Sequence, residues 1–123
     1  MKRDLSKKIS QEQMLAPVAV SAPWTSDAVD LSGANSIDFG IVYAGYGGTA
    51  GIEVYDDSVW AAVTNDLYVL GQTLATDGSF AITSGDVNRA SYVGPGDQAR
   101  VSGTVDIATT VAAHAVKGDL QRS

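Results

Sequence analysis

Apolar and polar positions alternate with a period of two along much of the chain, most clearly from Val29 to Val54 (VDLSGANSIDFGIVYAGYGGTAGIEV). Within it, Ile37, Phe39, Ile41 and Tyr43 fall on one face of a strand, and Asp38, Gly40, Val42 and Ala44 fall on the other. Gly47 and Gly48 supply a tight reversal, because glycine tolerates the positive φ that such a turn needs. Ile52 and Val54 then resume the alternation. The pattern predicts a long β-hairpin with one buried face, on which the remaining strands pack.

Shorter runs repeat the theme on either side. Pro17–Ala22 reads as a strand that tolerates proline at its start and is broken by Pro23 and Trp24. Ala28–Leu31, Phe80–Ile82, Val87–Val93, Val101–Ile107 and Thr109–Val116 are further strands. Leu67–Leu70 fits a buried strand or a piece of helix, and its length does not decide between them. Turn chemistry separates these runs at Ser32–Asn35, Thr76–Ser79, Ser84–Asp86 and, most strongly, Gly94-Pro95-Gly96-Asp97. About eight short strands, with turns roughly every eight to twelve residues, predict an all-β, antiparallel β-sandwich or jelly roll. Met1–Leu15 is polar and lacks glycine, and its apolar stripe of Leu5 and Ile9 is too thin to hold it on a core. It reads as an extended N-terminal arm. The expected organisation is an arm over 1–15, a sandwich over 16–118 and a polar tail over 119–123.

Composition agrees with one folded domain. The chain has 123 residues, 45% of them hydrophobic, and no cysteine, so its core forms without disulfides. The absence of cysteine also removes thiol catalysis and thiolate zinc sites. The net charge of −6 is unevenly spread. Lys2, Arg3, Lys7 and Lys8 crowd the start, whereas from Val20 onward four basic residues face twelve acidic ones. Such an acidic body argues against nucleic-acid binding, which needs clustered Lys and Arg. The basic start suits an acidic partner; on charge alone it is a solvated tail. No long apolar run follows MKRDLSKKIS, so neither a signal peptide nor a membrane span is expected.

Candidate chemistry is sparse. His114, the one histidine, stands among Ala112, Ala113, Ala115 and Val116 with no GxSxG-type nucleophile motif, and reads as a strand histidine. Asp56-Asp57 lacks the ordered oxygen ligands of a calcium loop, and neighbours on a strand point to opposite faces, so the pair reads as a solvated loop. Gly45-Tyr46-Gly47-Gly48 has no Lys-Ser/Thr and no following helix, and reads as a turn rather than a phosphate cradle. Trp24, Trp60, Tyr46, Tyr55, Tyr68 and Tyr92 are candidates for a sugar-binding face. With only two phenylalanines in the chain, a core or interface role suits them better, and Trp60 is expected in the core. No catalytic residue, cofactor or metal ligand is expected.

The order of motifs carries further meaning. MKRDLSKKIS leads to LAPV, then VDLSGANSIDFGIVYAG, then YDDSVW, then SYVGPGDQARVSGTVDI and a closing AVKG. This order resembles small virion structural proteins of tailed bacteriophages, across nearly the whole chain from Met1 to Gly118. One departure stands out: the family's Arg-Tyr-Val-Arg-Val type run is here Gln98-Ala99-Arg100-Val101. The resemblance implies a β-sandwich decoration or cement protein on the phage head surface, made in the host cytoplasm. It would bind the major capsid protein, form a dimer or trimer, and use neither nucleic acid nor membrane. It also implies that the arm makes capsid or subunit contacts through Lys2, Arg3, Leu5, Lys7, Lys8 and Ile9. The alternatives are a head–tail or fibre-base component of the same particle, and a carbohydrate-binding or adhesin-type sandwich.

Overall fold

The alternating runs form two antiparallel sheets, in a computed structural model that describes residues 10–31, 36–69, 72 and 74–118. Eleven strands are present: β1 (Ser10–Val20), β2 (Trp24–Thr25), β3 (Val29–Asp30), β4 (Ser36–Tyr43), β5 (Gly48–Asp56), β6 (Val59–Ala62), β7 (Leu67–Val69), β8 (Phe80–Ile82), β9 (Asn88–Tyr92), β10 (Gln98–Val105) and β11 (Thr109–Gly118). The first sheet has the order β1-β11-β4-β9-β7, and the second β2-β10-β5-β6, with β3 also on β10 and β8 also on β5. The β-sandwich expected from the alternation is therefore present, with eleven strands rather than about eight. The excess is β2 and β6, short pieces that the alternation did not mark, and β7, whose run left strand and helix open.

The core lies between the sheets and is built by the alternation itself. Ile37, Phe39, Ile41 and Tyr43 of β4 all point inward and are buried, and they meet Ile52 and Val54 of β5 and Ala99 and Val101 of β10. Val111, Ala113 and Ala115 of β11 complete the wall. Tyr43 sits where the sheets are tied together. Its hydroxyl accepts a hydrogen bond from Trp24 Nε1 at 2.9 Å and donates one to the Thr49 carbonyl at 2.9 Å. The rings of Trp24 and Tyr43 meet edge to face, with centroids 6.0 Å apart. Gly103 makes room for this node. A Cβ there would lie 2.5 Å from the Tyr43 hydroxyl and 2.6 Å from the Thr49 carbonyl oxygen, so no other residue fits without displacing backbone.

The pairing departs from expectation at the central stretch. β4 and β5 are not a hairpin: β4 pairs with β11 and β9, and β5 pairs with β10, β6 and β8. Residues 44–47 carry the chain from one sheet to the other. Both strands turn their apolar face to the same core, so alternation fixes the buried face without fixing the neighbour. The Gly94–Asp97 turn makes another of the crossings between sheets, pinned by the Tyr92 hydroxyl donating to the Pro95 carbonyl at 2.5 Å. Among the described residues, the one pair of consecutive strands that bond to each other is β5–β6. Their turn residues, Asp57 and Ser58, have φ of 54° and 69°, as in the two-residue turns that match strand twist.

The N-terminal segment also differs from expectation. Residues 10–15, expected in the arm, are the first half of β1 and pair with β11 through a register shifted on either side of Leu15. Met14 is 1% exposed and belongs to the core. Its neighbours Gln11, Glu12 and Gln13 hide this in the sequence, because an edge strand needs only one inward apolar residue to be held. The expected contact residues Lys2, Arg3, Leu5, Lys7, Lys8 and Ile9, and the tail 119–123, lie outside the described residues.

Candidate interaction surfaces

On β5, burial of Ile52 and Val54 forces Glu53 and Tyr55 onto the outer face of the second sheet. Register then decides their company. Arg100 of β10 lies opposite Glu53, and Trp60 of β6 lies opposite Tyr55. Arg100 Nε bonds Glu53 Oε1 at 2.6 Å, with both side chains 28% exposed. The same guanidinium lies 4.0 Å from the centroid of the Trp60 ring, a cation–π contact. Tyr55 packs beside the indole at 5.3 Å and a 54° tilt. Trp60 is thus a half-buried residue of the outer face and not a core residue as expected; the buried tryptophan is Trp24. The reason is geometric, since a residue directly across from outward-facing Tyr55 must share its face.

Two clefts flank this patch. One, of about 360 Å³, is lined by Gly51, Thr25, Ser102, Thr104 and Thr49 among others. The Thr49 and Thr104 hydroxyls bond each other at 2.9 Å. The other, of about 240 Å³, has a mixed lining: Val54, Ala61, Val63, Tyr92 and Pro95 with Asp56, Thr64, Asn65 and Asp66. Burial raises the pKa of the Tyr92 phenol, and the charges of Asp66 and Asp56 raise it further.

The outer face of the first sheet carries His114. It lies opposite Gly40 of β4 and Gln13 of β1. Its ring rests on the Gly40 backbone, in the space a side chain would fill, so the imidazole covers a bare stretch of strand. Asp56 and Asp57 lie at the β5–β6 reversal, as the solvated loop expected of them, and Gly45–Gly48 belongs to the crossing between sheets. Among the described residues no three metal-ligating side chains come together. The six aromatics considered for a sugar face are divided. Trp24 and Tyr92 are buried, Tyr46 and Tyr68 are exposed, and Tyr55 and Trp60 share the outer face of the second sheet. Sequence reasoning missed the Arg100–Glu53–Trp60 group. Its members are far apart in the chain, and only strand register, which no short motif encodes, brings them together.

No protein-family model matches the chain, and no curated protein does. Among solved structures, the chain is similar to the SPBc2 prophage-derived protein YomS, with a TM-score of 0.60 and 8% identity, covering 88% of this chain and 94% of that one. A protein of Bacillus endospore appendages, described as a family of disulfide-linked pili, aligns at a TM-score of 0.31 and 17% identity over 89% of this chain and 92% of that one. The likeness to YomS is one of fold.

Proposed function

We propose that this chain is a virion structural protein of a tailed phage, and within that class a decoration or cement protein that binds and stabilises the head shell. The observation that carries the reading is the fold shared with a prophage-derived protein over nearly the full length of both chains. The order of motifs along the sequence supports it. The protein acts by binding, without catalysis: it contacts the major capsid protein at many equivalent lattice positions, where avidity multiplies a weak single contact. It does so as a dimer or trimer on the head surface. The basic residues of the start, with Leu5 and Ile9, add to that contact.

The outer-face aromatics Tyr55 and Trp60 are what favours a glycan-binding reading. Stacking on a sugar needs a bare aromatic face. Here Arg100 already stacks on one side of the indole and Tyr55 packs beside it, so a sugar stacking on that side would have to displace an ion-paired guanidinium. The shell-binding reading is therefore preferred. Its test is peptide mass spectrometry and immunogold labelling of particles purified from the source. The protein is expected in many copies on the head; its absence from the particle would overturn the reading.

A further inference from the structure

β6 ends the second sheet, and among the described residues β5 is the one strand that pairs with it. The turn at Asp57 and Ser58 closes on the Asp56–Val59 pair, so Val59 and Ala61 direct their main chain at β5, as does Val63, whose amide bonds the Ile52 carbonyl at 2.9 Å. The alternate residues Trp60 and Ala62 therefore direct their N–H and C=O groups outward. Folded proteins blunt such edges with charge, proline, bulges, brevity or a covering group. The other edges here carry these devices. β1 has Pro17 and two register shifts, β2 and β3 have two residues each, and β7 has three. On β8, the Gln72 amide bonds both main-chain groups of Ala81. From Val59 to Val63 there is no charge, no proline and no glycine, and the pairing of β6 with β5 runs without a shift. Val59, Ala61 and Ala62 are exposed.

A cleft adjoins this edge on its inner side. Ala61 lies opposite the buried Val54 and so faces inward, yet it is exposed, because the space between the sheets is open here. That space is the cleft of about 240 Å³. Val63, Tyr92 and Pro95 give it apolar lining and Asp56 and Asp66 give it carboxylates, and among the described residues that line it none is Lys or Arg. A strand added beside β6 directs alternate side chains to this inner side. The lining selects among them: a long apolar stem ending in a cation matches apolar lining together with carboxylates. A second copy's β6 is a poorer occupant. Its inward set is Val59, Ala61 and Val63, which leaves the carboxylates unmatched, and it brings its own Asp56 and Asp57 with it. We propose that the open edge of β6 receives an extended segment of a partner protein as an added strand, with an inward Lys or Arg of that segment entering the cleft toward Asp56 and Asp66. The edge asks only for an extended basic segment, so the site stands or falls independently of whether the partner is a shell protein.

The test is an NMR titration of the isotope-labelled full-length chain. The probes are the acetylated peptide Thr-Val-Thr-Lys-Thr-Val-Thr and its counterpart with Glu in place of Lys. The Lys peptide should shift the amide resonances of Trp60 and Ala62 and slow their hydrogen exchange, and the Glu peptide should bind about tenfold more weakly. Ala62→Pro removes an outward N–H and no bond to β5, so it should keep the native melting temperature while binding the Lys peptide about tenfold more weakly, read at Trp60. Asp56→Asn/Asp66→Asn should stay folded and lose the preference for Lys over Glu. Unmoved Trp60 and Ala62 resonances with the Lys peptide, or undiminished binding by Ala62→Pro, would overturn the proposal. Shifts of these resonances on raising the protein concentration alone would assign the edge to a second copy and overturn the choice of partner.

Discussion

Tyr43 and Trp24 do at the scale of single residues what the strands do collectively: they tie one sheet to the other. Trp24 is 7% exposed and Tyr43 0%. Trp24→Ala should therefore cost about 3–5 kcal/mol, the usual loss for a large core aromatic. Trp60→Ala removes a contact with Arg100 and one with Tyr55 at the surface, and should cost about 1–2 kcal/mol. Denaturant melts of both variants check the ranking, and an equal loss would contradict the assignment of Trp24 to the core and Trp60 to the outer face.

The Tyr43 phenol, buried and near Asp106, has its pKa pushed up from 10.0 to about 12 although the Trp24 donor acts the other way. A proton held more tightly in the folded state gives stability that is complete below pH 10.0 and is lost as the pH rises through about 12. Tyr43→Phe leaves the Trp24 donor and the Thr49 carbonyl without this partner, costing about 1–3 kcal/mol at neutral pH. Melts of both proteins across the alkaline range should show the gap narrowing over that interval; a constant gap would contradict the assigned burial. The inward set on β4 was legible from alternation alone. The position of Trp60 was not, because a residue's face on a short strand depends on which partner lies opposite, and that partner is remote in sequence.

Among the elements, β1 carries the main correction to the sequence reading. A chain beginning at Ser10 keeps the whole strand. A chain beginning at Ala16 loses Met14 from the core and uncovers the edge of β11 from His114 to Lys117. It also loses Glu12, which pairs with Lys117 Nζ at 2.6 Å. The first truncation should melt close to the full-length protein, and the second should be destabilised by about 2–5 kcal/mol, the cost typical of removing a buried methionine side chain. Circular dichroism melts separate the two; equal melting temperatures would show that residues 10–15 do not hold the sheet.

Most strands, the turn signals and the sandwich class were legible because period and turn chemistry are local, whereas β2 and β6 were not marked. Pairing was not legible. The chain changes sheet at most of its connections, those after β4 and β9 among them, and a glycine-rich connection serves such a crossing as readily as a hairpin. Asn88 illustrates the same limit. Its side chain binds Thr83 through both backbone groups and also reaches the Ile41 carbonyl at 3.1 Å, fixing the turn before β9 from a position that no turn motif marks.

Over the described residues, much of the acidic charge sits in the connections, while the sheet faces carry few charges, Glu53 and Arg100 on the second sheet among them. Asp27, Asp57, Asp66, Asp77, Asp86, Asp97 and Asp106 all lie in exposed connections. The outer face of the first sheet presents Val42, Ala112, His114 and Val116, with Asp38 and Arg89 as its charges. That layout was only half legible: the sequence shows the acidic excess, and the fold shows where it is placed.

Co-sedimentation of the purified protein with expanded capsids from its own source tests the central claim most directly. Decoration predicts saturable binding at a fixed ratio to the capsid protein, with the ratio indicating the lattice position occupied. Failure to bind those capsids at any concentration would contradict it.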